Sequence, residues 1–110
     1  MEVRAISKGV RVSPQKARRI IDTVRGKSAD EALAILSFIP SPTALSISRV
    51  VKSAIANAEN NFQMVPSDLK ITKAFVDEGL MMKRMRFTGR GRVSPILKRL
   101  CHITIVVEEI

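Results

Sequence analysis

Two runs rich in β-forming residues, 69–76 and 102–107, are separated by a stretch that no tight turn can absorb. Residues 77–101 are too many for an ordinary hairpin loop. They carry Lys83, Arg84, Arg86, Arg90, Arg92, Lys98 and Arg99, and no acid follows Glu78 until Glu108. Seven cations without a carboxylate cannot be buried together in a core. If both strands continue past their sheet, the stretch becomes a two-stranded ribbon turning at Thr88-Gly89-Arg90-Gly91. About ten residues per arm would carry it roughly 30 Å from the body. An isolated two-stranded ribbon is marginal in water, so such an arm is expected to order fully against a partner. Three methionines at its base, Met81, Met82 and Met85, read as a soft apolar cluster.

The chain before residue 62 reads as three capped helices. Ser13-Pro14 supplies an N-cap and a first-turn proline, Ala17, Ile20, Ile21 and Val24 form the apolar stripe, and Gly26 is placed to end the helix. Ser28-Ala29-Asp30-Glu31 has the form of a capping box, with Ala32, Leu33, Ile35 and Leu36 behind it and Pro40 as the stop. Ser41-Pro42 opens a third helix whose stripe runs Ala44, Ile47, Val51, Ala54, Ile55 and Ala58 and fades near Asn60-Asn61. Residues 3–7 are a weaker strand candidate. The resulting expectation is an α+β fold: three helices on a small, three-stranded, mainly antiparallel sheet, with a long protruding β-hairpin. Residues 1–110 are expected to form one domain, its body 1–79 and 101–110 and its basic hairpin about 80–100. Phe38 and Phe75 are expected in the core, with Phe62 capping it.

The charge is sorted by position. Of a net +9, residues 1–27 hold +6 and residues 80–110 hold +5, whereas 28–79 is slightly acidic. Two cationic segments around a slightly acidic middle point at a polyanion, because each Lys or Arg laid on a phosphate releases counterions. On the helix 13–26, Lys16, Arg18, Arg19 and Arg25 surround the side away from the stripe. With Lys8, Arg11 and Lys27 they make one cationic face. Arginine predominates in both segments, which suits bidentate phosphate contacts. The chain has no Trp or Tyr, so it lacks a stacking platform for single strands; Phe87 alone sits in the arm. Folded RNA read by shape and backbone is the expected partner, ahead of duplex DNA or an anionic membrane. Gly89 and Gly91 would break an amphipathic membrane helix in the arm, and Ser94-Pro95 would end it.

Other chemistry finds little support. A single His and a single Cys cannot assemble a metal site, and Cys101-His102 on a strand point to opposite faces, so they are not a nucleophile–base couple. No enzymatic role and no cofactor is expected. One unpaired thiol fits a reducing compartment, and the start of the chain shows no secretory signal, so a cytoplasmic protein is expected.

At Ser53-Ala54-Ile55-Ala56-Asn57-Ala58-Glu59-Asn60-Asn61 the chain resembles the bacterial form of the universal large-subunit ribosomal protein twenty-two family. Supporting fragments span its length: Ser13-Pro14-Gln15-Lys16-Ala17-Arg18, Ile20 through Arg25-Gly26-Lys27, Ala32-Leu33-Ala34-Ile35-Leu36, Val76-Asp77-Glu78-Gly79, Met82-Lys83-Arg84, Gly91-Arg92, Ile96-Leu97-Lys98-Arg99 and His102-Ile103. The resemblance implies a protein that binds large-subunit ribosomal RNA, organises its domains during assembly and lines the nascent-peptide exit tunnel with the hairpin. It implies RNA contacts at Lys8, Arg11, Lys16, Arg18, Arg19, Arg25, Lys27, Lys83, Arg84, Arg86, Arg90, Arg92, Lys98 and Arg99. It places Met82, Lys83, Arg84, Phe87, Thr88, Gly89, Arg90 and Gly91 along the tunnel. Implied partners are the RNA, neighbouring large-subunit proteins and, transiently, the nascent peptide, for a monomer within the ribosome and away from membranes. Against the usual pattern, Leu80 stands for a proline, Phe87-Thr88 for a proline and a basic residue, and Ser94-Pro95 is expected to interrupt the returning arm.

Overall fold

A computed structural model describes residues 2–109, the side chain of Thr88 excepted. The chain runs β1 (Glu2–Val10), α1 (Pro14–Ile21), α2 (Ala29–Phe38), α3 (Pro42–Phe62), a single 3₁₀ turn, β2 (Leu69–Glu78), β3 (Met82–Thr88), β4 (Arg92–Lys98) and β5 (Cys101–Glu109). The fold is α+β, as expected. Capping sets the second and third helices: the Ser28 hydroxyl accepts from the Glu31 N–H at 3.3 Å, and the Ser41 hydroxyl from the Thr43 N–H at 3.3 Å. After Phe62, Gln63 turns left-handed at φ 53° and the Met64 N–H reaches back to the Ala58 carbonyl, a common helix stop.

The first helix ends at Ile21, three residues before the last residue of its stripe, Val24. Past Ile21 the chain tightens into i→i+3 turns, Thr23 to Ile20 and Val24 to Ile21, yet Val24 stays fully buried. The tether is β2: the Gly26 N–H donates to the Ile71 carbonyl at 3.0 Å, and the Ile71 N–H to the Lys27 carbonyl at 2.9 Å. Gly26, at φ +81°, makes the corner.

β1, β5 and β2 form an antiparallel sheet in that order, with β5 central. One face carries Val3, Ala5, Ile71, Ala74, Val76, Cys101, Ile103, Ile105 and Val107 into a core completed by Ile21, Ile47, Val51 and Leu69. A bulge between Ile71 and Lys73 explains the loose alternation of β2. It lets both Ile71 and Ala74 point inward and turns Lys73 and Phe75 to the open face. Phe75 is therefore 43% exposed and not a core residue. Phe38 is also outside, 85% exposed at the end of α2, whose inner face is Ala29, Ala32 and Leu36. Phe62 is half exposed and does not seal the core. The aliphatic residues suffice without them.

β3 and β4 form a separate two-stranded ribbon. Seven residues per arm pair, from Met82 opposite Lys98 to Thr88 opposite Arg92, a shorter ladder than the ten per arm anticipated. The molecule accordingly measures 61 × 26 × 17 Å. Gly89, Arg90 and Gly91 all take positive φ, and the Arg92 N–H closes the tip on the Gly89 carbonyl at 3.1 Å. Ser94-Pro95 does not interrupt the arm: Pro95 sits opposite Met85 in continuous register. A two-stranded ribbon leaves alternate N–H groups unpaired on its outer edges, so a proline there removes nothing. The methionines do not cluster. Met85 is 82% exposed, while the Met81 and Met82 sulfurs accept long contacts from Arg99 and Arg84.

Candidate nucleic-acid interface

The cations divide into three groups. The first lies where the ribbon leaves the body. There the segment before α1 and its first turn contribute Arg11, Ser13 and Lys16, β3 contributes Met82 and Arg84, and the returning chain contributes Leu97, Lys98, Arg99 and Leu100. Together they enclose a cleft of about 650 Å³ containing five cationic side chains and no carboxylate. Residues 66 to 89 positions apart in sequence meet here. Sequence reading flagged all five cations but placed them on two separate surfaces. It missed Ser13, Leu97 and Leu100 as lining groups, since nothing local marks them. Glu78 lines a neighbouring groove of about 420 Å³ together with Arg18 and Arg99.

The root of the ribbon is braced below this cleft. Glu78 pairs with Cys101, and the Gly79 N–H donates to the Leu100 carbonyl at 2.9 Å. A β-carbon at Gly79 would meet the Leu100 backbone and the His102 ring at 3.2 Å, so glycine is needed for close approach. The His102 ring is itself held, its Nδ1 accepting from the Gly9 N–H at 3.1 Å. Cys101 is fully buried beside it in sequence and faces the core; burial pushes its thiol pKa up, with Arg18 opposing weakly. A protonated thiol without solvent access is no nucleophile.

The second group is the ribbon beyond the root. Residues directly opposite in an antiparallel ladder share a face, so Arg84, Arg86, Arg92 and Lys98 lie on one side, with Ser94 and Ile96 between them. Lys83, Met85, Phe87, Val93, Pro95 and Leu97 lie on the other. Arg90 stands at the tip, its φ of 49° held between two glycines. Thr88 enters through its backbone pairing with Arg92 alone.

The third group departs from expectation. Arg18 and Arg25 turn toward β2, whose outer edge has no neighbouring strand. The Arg18 Nε and Nη2 donate to the Val76 carbonyl at 3.1 and 3.0 Å. The Arg25 Nε and Nη2 donate to the Ala74 carbonyl at 3.0 and 2.6 Å, and its Nη1 pairs with Asp22 at 2.6 Å. These guanidiniums satisfy edge carbonyls and cover a strand that would otherwise template pairing. Lys8, Arg19 and Lys27 are exposed and lie apart from the cleft. Arg4, Arg49, Lys52, Lys70 and Lys73 are exposed as well and were not singled out by charge clustering. Lys73 is paired with Glu2 at 3.2 Å, which holds the Glu2 carboxyl below the usual carboxylate range.

A cationic cleft continued by a cationic ribbon is electrostatically suited to a polyanion, and comparison with known proteins says which kind of protein carries it. The family described as ribosomal protein L22p/L17e matches residues 5–108. This chain belongs to that family. The large ribosomal subunit protein uL22 of Dehalococcoides mccartyi is 58% identical over 109 residues, covering 99% of this chain and 100% of that protein. The uL22 proteins of Halothermothrix orenii and Carboxydothermus hydrogenoformans are 54% and 50% identical, each over 99% of this chain and 96% of theirs. Membership of the L22 family makes the protein a structural ribosomal component and not an enzyme, in agreement with the sequence reading.

Proposed function

We propose that this protein binds folded large-subunit ribosomal RNA, holds its segments together during assembly, and lends its hairpin to the wall of the peptide exit tunnel. The observation that carries this reading is the cleft at the hairpin root, where Arg11, Lys16, Arg84, Lys98 and Arg99 converge without a carboxylate. A phosphate backbone lying there is gripped by the body and by both arms at once. Arg86, Arg90 and Arg92 extend the grip outward, and Lys8, Arg19 and Lys27 add contacts on the body. Arg18 and Arg25 contribute mainly by shaping the surface, since their donors already face β2. The hairpin from Met82 to Gly91, with Lys83, Arg84, Phe87, Thr88, Gly89 and Arg90, forms part of the tunnel wall, its tip nearest the passing peptide. The chain acts as one domain and one copy, in the cytoplasm, beside neighbouring large-subunit proteins.

The test is a salt titration of binding to structured large-subunit ribosomal RNA, with duplex DNA and anionic vesicles as competitors. The expected result is a strong RNA preference and a steep log–log slope. Replacing Lys83, Arg84, Arg86, Arg90 and Arg92 with Ala should lower that slope by up to roughly 4, at about 0.7–0.9 per phosphate released. Equal affinity for all three polyanions, or a slope untouched by the five substitutions, refutes the assignment.

A further inference from the structure

The ribbon has a second face that phosphate binding does not explain. Met85 and Phe87 are 82% and 83% exposed and Val93 is 45% exposed, while Leu97 on the same side borders the cleft at the root. Pro95 lies between them on the same side, and Lys83 is the one charge there. An apolar strip this exposed on a thin ribbon marks a contact surface and not a fold requirement. Its surroundings define the occupant. Every charged side chain of the ribbon is a cation, and no acid occurs between Glu78 and Glu108. A second copy of this chain, also at net +9, would bring like charges together around the strip. A polyanion that also offers flat apolar surface fits both requirements. Unstacked nucleobases are that surface, and RNA displays them in loops and bulges.

We propose that the two faces of the ribbon seat on two different RNA surfaces: Arg84, Arg86 and Arg92 on a phosphate backbone, and Met85, Phe87 and Pro95 against the faces of unstacked bases. The ring of Phe87 stacks on a base, as aromatic side chains do in single-stranded sites. The Met85 thioether is soft enough to follow it. The ribbon then meets RNA along both of its faces, and the tip at Gly89-Arg90-Gly91 stays nearest the passage proposed above. This inference rests on the RNA-binding reading above and names the chemistry of one face of the same site.

Binding of the full chain to a large-subunit ribosomal RNA transcript, measured across salt, separates the two. F87S should weaken binding about tenfold at every salt concentration, with a slope parallel to the unaltered protein. F87W should restore affinity and F87L should not, because stacking needs a ring. R84Q/R86Q should instead lower the slope by roughly 1.4–1.8. Both sets of side chains are exposed, so the thermal midpoint of each variant serves as the folding control. If the unaltered protein prefers RNA with a steep slope while F87S binds equally well, or F87L restores affinity fully, the base-facing assignment falls and the RNA reading stands. Phe87-dependent dimerisation of the free chain, or Phe87-dependent vesicle binding stronger than RNA binding, overturns it as well. Loss of RNA preference in the unaltered protein removes both.

Discussion

Arg18 and Arg25 show how a cation can serve the fold and the surface together. Each guanidinium lies along the outer edge of β2 and donates twice to one carbonyl. A charged donor on a partly buried acceptor is worth about 1.5–3 kcal/mol, and removing it leaves the acceptor unsatisfied. R18A and R25A should therefore each lower the unfolding free energy by about 1–2 kcal/mol in urea titrations. R19A, one position away but exposed, should leave stability unchanged and affect RNA binding alone. None of this was legible in the sequence. The acceptors lie 49 and 58 residues downstream, and a helix face rich in arginine looks the same whether it meets phosphate or a strand edge. Phe38 and Phe75 were opaque for a related reason: their size argues for burial, but a bulge and a helix end decide where they point.

At the scale of elements, the helices were readable because their signals are local. Ser28 and Ser41 sit one residue before the helices they cap; the stripes of α2 and α3 match the core in most positions, but Leu33, Ile35 and Ile55 are only partly buried and Ala29 and Val50 are buried without having been expected. The hairpin was readable in outline from its glycines and its want of acids. Its continuity through Pro95 was not, because a proline is disruptive in a central strand and harmless in a two-stranded ribbon. The ribbon is also separable from the body. β2 and β5 pair as far as Glu78 and Cys101, and the Gly79–Leu100 bond closes that ladder before the ribbon begins. Replacing residues 81–98 by a short turn should therefore leave the thermal midpoint and the helical circular dichroism of the body essentially unchanged while RNA affinity falls. By contrast, G79V should destabilise the body by about 1–3 kcal/mol, since the added atoms press on the Leu100 backbone and the His102 ring.

For the whole molecule, shape and charge act together. The Cα radius of gyration is 16.8 Å, where a compact chain of this length would give about 13 Å. X-ray scattering of the free protein at moderate salt should return the larger value, and a value near 13 Å would mean that the ribbon folds back. Charge sorting was legible from composition by segment; the convergence of Arg11 and Lys16 with Arg84, Lys98 and Arg99 needed the sheet order that brings α1 beside the ribbon root. One consequence concerns parity. Because the ladder runs in unbroken register from Met82–Lys98 to Thr88–Arg92, lengthening both arms by two residues adds about 6.6 Å of reach and keeps every side chain on its side. A single residue inserted in one arm inverts that arm beyond the insertion, setting arginines where methionine and phenylalanine stood. The hairpin can drift in length in even steps, but odd steps would scramble what each of its sides recognises.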